Sequence, residues 1–336
     1  MQVKSLALLA SLILSVAHHA IAAEKIVVGM SNSFYGNTWK HQMVELFTEA
    51  ADKAKADGAI DSYHIGNGDG SPTQQIAQIS EFILKGVNVL IVNPASEAAL
   101  NGILEKACSA KITVVAFDGI VTAPCAYNLN FQFDYQTGLT KALIDSIGGK
   151  GNVLQVRGFA GTSPDAQMFK AQNLALKDYP DIKLVATVRG DFNAAVAQAQ
   201  VSNILPTLPH IDLVLSQGGG DDYGIAKAFD NAPQYRSKLP VIGGAGSSDF
   251  IRWWDEKSKS SGYKTMSVNT SPGIVTAAMW YAIAIRQGAK VPKTQSMAVV
   301  SIDQKNLGEF SKTPPGKIIA PTYDQAWVRT NLLNAK

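Results

Sequence analysis

The stretch Ile112-Thr113-Val114-Val115-Ala116-Phe117 is a run of apolar and β-branched residues that stops at Asp118-Gly119. Such a run fits a strand buried on both faces, the kind found inside parallel sheets. A carboxylate at the carboxyl end of such a strand stands where open α/β sheets bind their ligands. Asp-Gly is also an ordinary turn pair, so Asp118 reads either as a ligand contact or as a turn cap.

The surrounding chain repeats the pattern. Strand-like runs at Ile26–Met30, Ser62–Ile65, Val87–Val92 and Ile112–Asp118 alternate with helical runs. In the first helix Trp39, Met43, Leu46, Phe47, Ala50 and Ala54 recur at helical spacing. Ser71-Pro72 supplies a capping hydroxyl and a proline suited to the first helical position. The rhythm restarts near residue 130, with strands expected at Asn152–Val156, Ile182–Val188, Leu213–Ser216, Val241–Gly243, Thr265–Val268 and Met297–Ile302. Alternation of this kind predicts an α/β fold of two doubly wound parallel-sheet lobes. The length of 336 residues, 46% of them hydrophobic, is enough for two cores.

The N-terminus predicts export. Lys4 precedes the apolar run Leu6–Val16, and Ala20-Ile21-Ala22 has the small residues of a cleavage site, placing cleavage near Ala22 or Ala23. The run is too short for a membrane anchor, and no cysteine stands at the junction. A periplasmic location follows as the expectation. Loss of Lys4 takes the formal charge from +3 to about +2, which is no electrostatic footprint for nucleic acid. In an oxidising compartment the cysteine pair Cys108 and Cys125 is expected to form a disulfide, the alternative being two buried thiols.

Several chemistries lack their motifs. There is no G-x-G-x-x-G or G-x-x-x-x-G-K-[ST] loop between a strand and a helix, and Gly218-Gly219-Gly220 lacks the spacing and the lysine. Gly161-Thr162-Ser163-Pro164 is not a nucleophile elbow. His41, His64 and His210 form no metal-ligand pair. No cofactor, metal or catalytic residue is predicted.

Six stretches taken in order resemble the type I periplasmic solute-binding proteins of ABC importers, in the ribose- and galactofuranose-binding branch. They are Ser31 to Trp39-Lys40, Val92-Asn93-Pro94, Phe117-Asp118-Gly119, Gly158 to Ser163, Gly190-Asp191-Phe192, and Asn269 before Pro272. The resemblance implies a monomeric receptor that closes two lobes over one sugar or polyol and delivers it to a membrane permease. It implies a three-crossover hinge at Tyr127–Asp134, about Asn269 and about Val300. The first lobe would hold residues 24–132 and 270–298, and the second 133–269 and 299–336. A receptor that presents its ligand to a chemoreceptor or sensor is the alternative reading; an exported enzyme is a further one.

The same resemblance assigns ligand contacts to Trp39, Lys40, Asp118, Phe192 and Asn269, with Asn32, Met168, Arg157 and Asp221 as further candidates. Aromatic rings stack on the C–H faces of a sugar, while charged and amide groups bind its hydroxyls. Trp39 also reads as a core residue, and Phe192 as packing between lobes. Where the family carries arginine, this chain has Gly119 and Met168; Gly244-Ala245-Gly246 replaces an expected Phe-Asp-Gly. Arg157 and Arg189 either supply the lost donors or pair with surface carboxylates.

Overall fold

The computed structural model describes residues 25–132 and 134–333; the expected leader, residues 1–22, lies outside them. The first half builds β1 (Val27–Asn32), α1 (Thr38–Ala56), β2 (Ser62–Asn67), α2 (Pro72–Leu84), β3 (Val89–Asn93), α3 (Asn101–Ser109), β4 (Thr113–Asp118) and β5 (Tyr127–Phe131). The second half begins with α4 (Tyr135–Ser146), β6 (Gly151–Arg157), α5 (Ser163–Leu176), β7 (Ile182–Arg189), α6 (Ala194–Ile204), β8 (Leu213–Leu215), α7 (Asp221–Asp230), β9 (Val241–Ile242) and α8 (Ser248–Ser261). The last part runs through β10 (Ser267–Asn269), α9 (Ile274–Arg286), β11 (Thr294–Met297), β12 (Val300–Ile302), α10 (Leu307–Phe310) and α11 (Gln325–Val328).

Two parallel sheets result, ordered β11-β5-β4-β3-β1-β2 and β7-β6-β8-β9. In each, the first strand has its successor on one side and the next strand on the other. That reversal opens a crevice at the carboxyl ends of the strands. Side chains on successive strand residues point to opposite faces. Val89 and Ile91 therefore enter a core with α1 and α9, while Leu90 and Val92 enter a second core with α2 and α3. In the second sheet Leu154 and Val156 face α6, α7 and α8, and Val153 faces α4. Both sheets are covered on both faces, which is why inner strands such as β3, β4 and β8 read as near-continuous apolar runs, whereas the edge strands β2, β7 and β11 do not.

Local signals hold where they rest on backbone chemistry. The Ser71 hydroxyl accepts from the Gln74 amide at 3.2 Å, with Pro72 opening α2. The sequence reading fails where one run serves two sheets. The expected strand Met297–Ile302 is two strands: β11 pairs with β5 in the first sheet, and β12 pairs antiparallel with β10 between the sheets. Tyr127–Phe131, expected as hinge, is β5 itself.

The C-terminal segment packs on both lobes. Ile319 packs with the second lobe's core, but Tyr323, Trp327, Val328 and Leu332 pack on the first lobe's core beside α9. The described part of residues 299–336 therefore does not pack on the second lobe alone. The physical reason is the apolar face of α11, buried on α9, which a count of strands does not register.

Cys108 and Cys125 are joined by a disulfide, with Cα atoms 6.3 Å apart and a sequence separation of 17. It ties the end of α3 to the loop after β4. A loop of this length is worth about 3 kcal/mol in the chain-entropy description. The double variant Cys108→Ser/Cys125→Ser is expected to lose about that much stability in urea unfolding, and the unreduced wild type to show no free thiol after unfolding.

Candidate functional site

The loops at the carboxyl ends of both sheets face each other across one cavity of about 80 Å³. A single water needs on the order of 10–15 Å³ by the same measure, so the space suits a small ligand.

The first lobe's wall begins with α1. Asn37 caps that helix, its Oδ1 accepting from the Lys40 amide at 2.9 Å. The cap places Trp39 and Lys40 in the first turn, where both line the cavity. Trp39 is buried, and its indole N–H donates to the Thr270 carbonyl at 2.9 Å. That leaves the ring to act through its apolar faces and through the Lys40 ammonium, 4.9 Å from its centroid. Trp39 is thus both a core residue and part of the cavity wall.

Three strand ends converge on Asn93. Its Oδ1 accepts from the Lys40 ammonium and from the Ser33 hydroxyl, the latter at 3.1 Å. Its Nδ2 donates to Asp118 Oδ2 at 3.2 Å and to the Phe117 carbonyl at 3.4 Å. Burial pushes the Lys40 ammonium down to about pKa 8, with the Asp118 charge opposing the shift. Its place in the first turn of a helix disfavours a cation in the same sense. Burial raises the Asp118 carboxyl, while Lys40 and the Asn93 amide pull it back down. Asp118 has φ of 64°, in the left-handed region that asparagine and aspartate tolerate best.

The second lobe supplies Phe192, Met168 and Phe159. Asp191 and Phe192 have φ of 53° and 57°, so the chain turns sharply after Gly190 and throws the Phe192 ring over Gly158. A Cβ on Gly158 would stand 2.0 Å from that ring, which only glycine avoids. Gln217 is spent locally: its Oε1 accepts from the Gly158 amide at 2.8 Å. Phe159 meets Phe34 of the first lobe, with ring centroids 5.5 Å apart and planes 20° from parallel, and the Asn193 amide donates to the Gly36 carbonyl at 3.3 Å. These contacts join the two lobes beside the cavity.

Of the expected contacts, Trp39, Lys40, Asp118, Met168, Phe192 and Asn269 line the cavity together. Four others do not. Asn32 is fully buried and donates to Asn67 Oδ1 at 3.0 Å, bracing β1 against β2. Arg157 grips Asp165 with two hydrogen bonds of 3.0 and 2.7 Å and lies over the Phe169 ring. Arg189 donates to the Gly158 carbonyl at 2.7 Å and also reaches Asp165. Both arginines are therefore held by a carboxylate, but a buried one, not a surface one. Asp221 opens α7 and accepts from the Gly218 amide at 3.1 Å; it shapes the loop without lining the cavity. The Gly218–Gly220 run turns the chain so that the aspartate points back into its own loop. Asn93, Phe34 and Phe159 went unassigned as contacts, although Asn93-Pro94 closes the strand beside β4. Position at a strand end next to the switch point is the signal that would have found it.

Among the described residues no three His, Cys, Asp or Glu side chains stand together as a metal-binding group, and no helix is long and apolar enough to cross a membrane. The chain matches the periplasmic binding protein domain family over residues 28–290. It belongs to that family. The fold is shared with an ABC transporter solute-binding protein of Thermobispora bispora, with 34% identity, a TM-score of 0.85, and cover of 92% of this chain and 95% of that one. Among curated relatives, a xylitol-binding protein of Mycolicibacterium smegmatis is 25% identical over 69% of this chain and 66% of its own length. The multiple sugar-binding periplasmic receptor ChvE of Rhizobium radiobacter is 29% identical over 54% of this chain and 57% of its own length. The matches to these two curated relatives thus span two thirds of their length or less.

The buried ammonium has a pH signature of definite sign. Lys40 holds its proton to about pH 8 in the native protein, against 10.5 for the free side chain. Between those values the unfolded chain binds more protons, so the Lys40 contribution makes stability rise with pH, and below about pH 8 the penalty is present in full. Around pH 8 the native ammonium facing the cavity loses its charge. Ligand affinity is expected to fall above about pH 8 while this contribution to stability grows, and Lys40→Met is expected to abolish both trends. Calorimetric titration and urea unfolding at matched pH values check the two together.

Proposed function

We propose that this protein is a periplasmic receptor that closes two lobes over one neutral monosaccharide or sugar alcohol and hands it to an ABC permease. The observation that carries the reading is the Lys40–Asn93–Asp118 chain at one end of a cavity lined by Trp39, Phe34, Phe159 and Phe192. One donor charge and one acceptor charge face the cavity together on the first lobe's wall, so that wall has no net charge to spend on an anion or a cation. A hydroxyl both donates and accepts and is matched to such a pair. Flat aromatic faces suit the C–H face of a sugar ring. The xylitol-binding and multiple sugar-binding relatives support the same ligand class. The leader expected at residues 1–22 supports a periplasmic site of action.

A thermal-shift panel of neutral sugars and polyols tests this, because a ligand that binds only the native state must raise the melting point. Asp118 then provides the decisive variant. Alanine would be strained at its positive φ, whereas asparagine is tolerated there and keeps an oxygen for Asn93. Exchanging two charge-assisted hydrogen bonds for neutral ones loses about 1–1.5 kcal/mol each. Asp118→Asn is therefore expected to weaken ligand binding by about a hundredfold in calorimetry and to leave the unliganded melting point within a few degrees. Affinity close to wild type in that variant would remove Asp118 from the site. A panel without any stabilising sugar or polyol would remove the proposal.

A further inference from the structure

The polar groups of the cavity are divided unevenly between its two walls, and we infer from this that the ligand is a deoxy sugar or deoxy polyol. It would carry its hydroxyls at one end and present a terminal carbon without hydroxyl at the other. This rests on the receptor reading above and sharpens its ligand class.

The first lobe's wall keeps hydrogen-bonding capacity in reserve. Asn93 is consumed by its neighbours, but the Lys40 ammonium has three donors and gives one to Asn93, and Asp118 gives Oδ2 to Asn93 and keeps Oδ1. Hydroxyls are bound there. The second lobe's wall has few donors left over, and around Met168 it is apolar. Its apolar members are Phe159, Pro164, Met168, Phe192 and Ala245. The Thr162 hydroxyl donates to the Phe159 carbonyl at 2.8 Å, and Gln217 gives its oxygen to the Gly158 amide and its nitrogen to the Asp165 carbonyl at 3.4 Å. The Met168 sulfur already receives the Tyr135 hydroxyl at 3.7 Å and the Gln136 amide at 3.4 Å. The two guanidiniums in this lobe that stand closest in sequence to the cavity loops are held on Asp165. What this wall keeps is acceptors: the half-buried Asp191 carboxylate and the buried, unpartnered Asn269 Oδ1, whose amide nitrogen is held by the Thr270 and Ile319 carbonyls; neither group donates, and neither belongs to the patch formed by Met168 and the phenyl rings.

A hydroxyl pressed on Met168 and the phenyl rings would lose its water and gain no partner, while a methyl group in the same place would gain contact area. An unpaired buried hydroxyl weakens binding by roughly tenfold to a hundredfold. Calorimetric titrations with sugars that differ only at the terminal carbon read this directly: D-galactose against D-fucose, L-galactose against L-fucose, L-mannose against L-rhamnose, D-ribose against 5-deoxy-D-ribose. In the series that binds, the deoxy member is expected to bind roughly tenfold to a hundredfold tighter. Met168→Gln, close in volume but able to pair with a hydroxyl, is expected to erase or reverse that preference while melting like the wild type. A hydroxylated member that binds as tightly or more tightly overturns this inference and leaves the receptor reading standing. A preference that survives Met168→Gln unchanged overturns the assignment of the apolar wall. If no neutral sugar or polyol binds, the receptor reading falls and this inference with it.

Discussion

Asp118 is buried and Lys40 half-buried at one end of the cavity, and one amide, Asn93, stands between them. Isolated charges in such surroundings are strongly disfavoured, and a shared polar bridge is what makes the pair tolerable. The rest of the architecture can be understood as a means of delivering that arrangement. The three side chains come from the first turn of α1 and the last residues of β3 and β4. Only a sheet whose strands run the same way brings those ends to one edge. The parallel order, the helices on both faces and the capped start of α1 are all conditions for the contact.

A similar economy governs the second lobe, with the signs reversed. Asp165 is almost fully buried and collects two guanidiniums, one of them stacked on Phe169. Arg189 also fastens the Gly158 carbonyl, and Gly158 is the residue on which the Phe192 ring rests. Charge in this lobe is thus spent on holding a loop still, whereas in the first lobe it is left facing the cavity. Asp222 follows the same internal logic. Burial lifts its carboxyl to about pKa 6, and it is anchored by the Ala245 and Ser247 amides, which set the loop after β9.

The sequence was most legible where backbone rules and burial act alone. The unbroken apolar strands, the Ser71-Pro72 helix start and the disulfide partners all follow from local chemistry and compartment. Asp118 was legible because a carboxylate after a fully buried strand has few structural uses. Side-chain direction was not legible. Arg157, Arg189 and Asp221 all stand at strand or loop ends, as site residues do, yet each turns back to a partner within its own lobe. Nothing in residue type separates an arginine that faces a ligand from one that faces Asp165. The division of Met297–Ile302 between two sheets and the docking of α11 on α9 were hidden for a related reason. Both depend on contacts between segments far apart in the chain.

The repeated passage of the chain between the lobes has a mechanical meaning. Beside the β10–β12 ribbon runs the segment 316–319, where Gln42 of α1 exchanges two hydrogen bonds with the backbone of Ile318, and Ser248 of α8 does the same with Lys317. A single tether would let one half swivel about it in any direction. Several tethers set side by side, two of them paired as a ribbon, resist torsion and sliding and leave bending about their common line as the soft motion. Rotation is thereby reduced to one degree of freedom, like a page turning on its binding. A closure about that line would bring Phe34 and Phe159 together in the same register each time.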